Sequence, residues 1–202
     1  MLIAFFAANV WLGGPALAQA QGFGLTPFAG WRFGGGVVDL ETTDDVFLDD
    51  TLVYGLIFSI PWNAKDRSRL ELVWSHQDTT VDLTNVEIPV LDLDVDYLHI
   101  GGSVPFATSN TKVEALLSGG LGATFMRPGL DGAGTQLGFS LSLGGGLLYH
   151  VSDRVGIRLE ARGWITFTES GAAVFCSGGC IVAFSGSGFG QVELTTGLQL
   201  SF

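Results

Sequence analysis

Residues 137–167 alternate between apolar and small or charged side chains over a length that few soluble sheets use. In the first half, Leu137, Phe139, Leu141, Leu143, Leu147 and Tyr149 share one register, while Gly138, Ser140, Ser142, Gly144, Gly146 and His150 share the other. After the turn VSDR, Val155, Ile157, Leu159, Ala161, Ile165 and Phe167 face one way and Arg158, Glu160, Arg162 and Thr166 the other. Successive side chains of a strand point to opposite faces, so this pattern specifies an antiparallel hairpin with one apolar and one polar face. Each arm runs to about 13 residues, against about 5–6 for a soluble strand, and that suffices to cross a bilayer at a tilt. The polar face is mostly Gly and Ser with charges of both signs, a composition that suits the inside of a narrow closed barrel. The apolar register is therefore expected to face lipid.

The rest of the chain fits the same solution. With 202 residues, of which only 14% are charged, it is one domain or two and not a disordered protein. Beyond the N-terminus no run reaches the roughly 18 apolar residues of a transmembrane helix, and a closed barrel is the other structure that satisfies every backbone group in lipid. Residues 1–20 read as a secretory signal, with the apolar run LIAFFAANVWL followed by small residues at Ala16, Ala18 and Ala20. A basic start to that signal is missing, since the first basic residue is Arg32. Residues 21–202 then form the barrel domain.

Eight alternating stretches separated by turn signals are predicted as strands: 23–34, 51–60, 69–77, about 91–104, 112–125, 137–150, 155–167 and 189–202. In the fourth, Val95 and Tyr97 compete with Leu98 and Ile100 for the outer face, and its register stays open. Connections alternate long and short, as in barrels with extracellular loops and periplasmic turns. The predicted fold is thus an all-β, closed, antiparallel eight-stranded up-and-down transmembrane barrel. The net charge of −11 comes almost wholly from the long connections, where Arg127 is the lone base. The inward register carries Arg32, Arg69, Lys112, Arg158 and Arg162 with Glu71, Glu114, Glu160 and Glu193. Buried charges need partners, so this set reads as a salt-bridge ladder.

The segments LGGGLLYHVSDRVGIRLEARGW, DLDVDYLHIGGSVPF, SGGLGATFMRPG and GQVELTTGLQLSF resemble small bacterial outer-membrane barrels of the OmpA/OmpW type and their porin-like members. The resemblance covers essentially the whole mature chain and implies a Gram-negative outer-membrane address. Leu198, Leu200 and Phe202, in one register and ending on an aromatic, are similar to the sorting signal read by the barrel assembly machinery.

Functional readings divide at the interior. The charge ladder either fills the lumen as a hydrogen-bonded plug, giving a structural or surface-interacting protein, or lines a narrow porin-like passage for small solutes. The acidic connections form a solvated rim, or hold divalent cations that bridge lipopolysaccharide; Asp92, Asp94 and Asp96, on one face of a strand, are the weak candidate metal ligands. Expected partners are therefore outer-membrane lipids and lipopolysaccharide, with no nucleic acid, no cofactor and no enzymatic activity. A lipid-modifying enzyme built on His76 is disfavoured because Ser75, its neighbour, points to the opposite face. Cys176 and Cys180, in FCSGGC, form an expected disulfide, as suits an exported chain. Trp31, Tyr54, Trp62, Trp74, Tyr149 and Phe202 are expected in interfacial aromatic girdles.

Overall fold

The structure is a computed structural model and describes residues 22–35, 37–38, 45–63, 65–82, 90–129, 134–167, 173–176, 180–183 and 188–202. Its strands are β1 (Gly24–Gly34), β2 (Val37–Val38), β3 (Asp45–Leu48), β4 (Thr51–Asn63), β5 (Ser68–Asp82), β6 (Val90–Ala107), β7 (Val113–Pro128), β8 (Gln136–His150), β9 (Val155–Phe167), β10 (Ala173–Cys176), β11 (Cys180–Ala183) and β12 (Phe189–Ser201). Eight of them, β1, β4, β5, β6, β7, β8, β9 and β12, form the wall, each antiparallel to its neighbours. The sheet closes where β1 pairs with β12, Arg32 standing opposite Glu193. The short β2 and β3 extend the wall beside β5, and β10 and β11 make a separate hairpin.

The hairpin that anchored the sequence reading has the predicted register. Leu137, Phe139, Leu141, Leu143 and Leu147 are exposed on the outside, whereas Ser140, Ser142, Arg158, Glu160, Arg162 and Thr166 are buried. The same division holds around the wall: Leu52, Leu56, Phe58, Leu72, Leu121, Leu194 and Leu198 point out. A water-soluble sheet would bury that face, so the outer surface matches a hydrocarbon solvent. Trp31, Tyr54, Trp62, Trp74, Tyr149 and Phe202 are all on it and exposed.

Two expectations change. β5 and β6 run well past the predicted 77 and 104, to Asp82 and Ala107, forming one ladder from Arg69↔Ser103 to Asp82↔Val90. In β6 the open register resolves with Leu98 and Ile100 outside and Val95, Tyr97 and His99 buried inside. Lys112 lies before the start of β7, exposed in the turn, and is therefore not an interior residue; its backbone N–H is held by the Asn110 side chain.

Short turns and the chain end share one end of the barrel, the turn end. There Phe202 donates its N–H to the Phe23 carbonyl and the two rings stack at 4.8 Å. In the turn joining β4 to β5, Asp66 accepts from the Ser68 N–H, which holds its carboxyl below the usual carboxylate value. The bend places Arg67 in the left-handed region, at φ 56°. The long connections leave from the opposite, loop end.

Candidate functional site in the barrel interior

Inward-facing residues at two-residue spacing on β9, Arg158, Glu160 and Arg162, meet Glu71 from β5 and Ser118 from β7 across the lumen. Arg158 grips Glu71 with both terminal nitrogens, at 2.7 and 3.2 Å, and reaches Glu160 at 2.7 Å. Arg162 binds the other Glu160 oxygen at 2.7 Å, and Ser118 donates to that same oxygen at 2.5 Å. Ser103 completes Glu71 at 2.6 Å. All four charged side chains are at most 4% exposed. Neighbouring glycine makes room for this group: a Cβ at Gly144 would lie 2.6 Å from both the Glu160 carboxylate and the Ser118 hydroxyl.

Nearer the loop end a second group forms around Arg32, which is fully buried. It donates to Glu193 at 2.8 Å, to the Ser75 hydroxyl at 2.5 Å and to the Gln77 side-chain oxygen at 3.3 Å. Gln191 donates to the same Gln77 oxygen and accepts from the Tyr97 hydroxyl at 2.8 Å.

Aromatic rings join the two groups. Tyr97 and Trp164 stack at 4.3 Å, His99 meets Trp164 edge-on at 4.6 Å, and Arg32 lies over Tyr97 at 4.7 Å while Arg162 lies over Trp164 at 5.5 Å. Phe28, Val53, Ile57, Val73 and Met126 pack in the same space. The lumen at these heights is a core of paired charges wrapped in apolar and aromatic side chains. Trp164 shares the register of Arg158, Glu160 and Arg162, so its inward position was readable from the alternation; Tyr97 and His99 were hidden by the undecided strand.

The other expected ladder members sit elsewhere. Glu114 pairs with Arg67 at 2.5 Å and approaches His150 at 3.4 Å, all at the turn end. Arg69 is near the same end and, among the described residues, donates to neutral oxygens: Ser59 Oγ at 3.0 Å, and the Ser59 and Gly22 carbonyls at 3.2 Å each. Beneath Glu71 and Arg158 the lumen opens as a cavity of about 390 Å³, reaching the turn residues Arg67, Ser152 and Asp153.

On the outer face, Asp92, Asp94 and Asp96 do share a register, but their surroundings differ. Asp92 is exposed, whereas Asp96 is buried between His76 Nδ1 at 2.9 Å, Trp74 Nε1 at 3.0 Å and Arg127. His76 places its second ring nitrogen 2.9 Å from Asp78. Among the described residues no group of three or more His, Cys, Asp or Glu is arranged to hold a metal. Ser75, inside with Arg32, is on the other side of the wall from His76, so the two do not pair. The β10–β11 register sets Cys176 opposite Cys180; their side chains lie outside the described residues, as do residues 1–20. Leu198 and Phe202 are exposed on the outside with Leu200 in the same register.

No protein-family model matches the sequence, and no curated protein sequence is similar to it. Solved structures are. Neisserial surface protein A superposes with a TM-score of 0.62, at 13% identity, over 89% of this chain and 97% of that one. The outer membrane protein AlkL, solved by solid-state NMR in DMPC bilayers, gives 0.59 at 11% identity over 96% and 97%. OprG, an outer membrane protein of Pseudomonas aeruginosa, gives 0.51 at 13% over 91% and 98%. At these identities the likeness is one of fold: a closed, all-antiparallel eight-stranded barrel of the outer-membrane kind.

Proposed function

From that fold we propose that the protein is an integral outer-membrane barrel, exported by residues 1–20, whose role is structural or surface-interacting rather than conductive. The supporting observation is the interior: three arginines and three glutamates, Arg32, Arg158 and Arg162 with Glu71, Glu160 and Glu193, are paired and buried around the Tyr97–Trp164 stack. Bonds to these groups arrive from β1, β5, β6, β7, β9 and β12, and rearranging them would leave charges unpaired at several kcal/mol each. Interaction then falls to the acidic connections at the loop end, which face lipopolysaccharide and its bridging divalent cations. Leu198, Leu200 and Phe202 present the assembly machinery with its signal.

Single-channel recording in planar bilayers tests this. Folded protein is expected to give no discrete openings; reproducible unitary steps would replace the reading with a narrow porin-like channel, which the cavity entering the lumen from the turn end favours. An enzyme would need a nucleophile beside His76, and both of its ring nitrogens already face carboxylates. Hydrolysis of labelled phospholipid or lipopolysaccharide by wild type, abolished in His76→Ala, would establish it.

A further inference from the structure

Among the described residues, Arg32, Arg158 and Arg162 pair with Glu71, Glu160 and Glu193, and Glu114 pairs with Arg67, whereas Arg69, also inward-facing, has no carboxylate in ion-pair range. Its guanidinium is part-buried in the wall of the turn-end cavity, and among the described residues its Nε and Nη2 donate to neutral oxygens. The nearest carboxylate candidates are committed: Glu71 to Arg158 and Ser103, Glu114 to Arg67. Asp153, in the exposed turn at the mouth, is screened by water. Among the described residues the Arg69 Nη1 has no acceptor, and a guanidinium N–H in a partly desolvated space suits an oxygen of a carboxylate or phosphate. Across the lumen, inward-facing and buried Leu116 and Leu148 give the cavity an apolar patch. At about 390 Å³ the space is of ligand-binding size, and Glu71 and Arg158 close it above.

We propose that this cavity is a binding site for a small amphipathic anion, a carboxylate or phosphate on a short apolar body, entering from the turn end and held by Arg69. The anionic group lies against the guanidinium and the apolar body against Leu116 and Leu148. This goes beyond the function proposed above and holds whether or not the barrel conducts.

The test uses folded protein in lipid nanodiscs with methyl-labelled Leu and Val, titrated with phenyl phosphate and, separately, inorganic phosphate. Saturable shifts at Leu116 and Leu148 are expected with phenyl phosphate, and weaker binding with inorganic phosphate. Arg69→Gln removes a charge-assisted contact and should weaken binding by about 10- to 100-fold. Leu116→Trp, which leaves the guanidinium intact and fills the apolar side, should abolish it and carries the test alone if Arg69→Gln fails to fold. No saturable shift in wild type, unchanged affinity in either folded variant, or shifts confined to lipid-facing Leu141 and Leu143 would overturn the site. Equal affinity for inorganic phosphate would overturn its amphipathic character. Bilayer recording reads conductance independently, so either conclusion can fail without the other.

Discussion

Replacing Glu160 by Gln keeps its shape and removes one charge from the centre of the lumen. Its two oxygens take three N–H bonds, from Arg158 at 2.8 Å and from Arg162 at 3.1 and 2.7 Å, an ion-pair contact with the Arg158 Nη2 at 2.7 Å, and one hydroxyl bond from Ser118. Charge-assisted bonds are each worth about 1.5–3 kcal/mol, but they do not all vanish. Gln retains one acceptor oxygen, and Arg158 keeps Glu71 at 2.7 Å. Arg162 is worse placed, because its next carboxylate is Glu71 at 3.9 Å. The expected loss is therefore that of breaking a buried pair, about 3–5 kcal/mol. Urea unfolding in bilayers, followed by gel mobility and tryptophan emission, should show an earlier midpoint with an unchanged slope. Glu160→Gln/Arg162→Met should recover more than half of the loss, since it also removes the stranded cation. A single-variant loss under about 1 kcal/mol, or a double variant as unstable as the sum of both singles, would mean that water and not protein solvates these charges.

Leu141→Arg places a cation on the outer wall and should cost about 2–4 kcal/mol of folding free energy near mid-bilayer; a neutral result in the same unfolding assay would contradict the lipid-facing assignment. Cys176 and Cys180 are expected to be oxidised in the exported protein, so intact mass should rise by two hydrogens on reduction, and an unchanged mass would remove the bond. Deleting Phe202 should lower the amount of folded barrel recovered from outer membranes, and wild-type levels would separate that residue from sorting.

The wall was legible in the sequence because lipid and lumen make opposite demands on alternate residues, as Leu141 and Ser142 do in adjacent positions. β6 was not, and the structure gives the reason: its inward register there carries the apolar and aromatic Leu93, Val95 and Tyr97, while Asp96 sits in the outward register, stabilised by His76, Trp74 and Arg127. Polarity then stops distinguishing inside from outside. Side-chain partners were legible only as a set. Arg32, Arg158 and Glu193 could be assigned to the interior one strand at a time, but which of them meet depends on tilt and stagger between strands. Lys112 and Arg69 differ for the same reason: both fall near strand ends, where the alternation gives no depth.

The contact between Arg32 and Glu193 spans the seam at which the first and last wall strands join. Separated by 161 positions in the chain, these residues meet where the sheet closes on itself. On an open-edged sheet that guanidinium and that carboxylate would stand on opposite free margins. Joining the margins brings the opposite charges together, which favours the closed cylinder over a partly wrapped sheet.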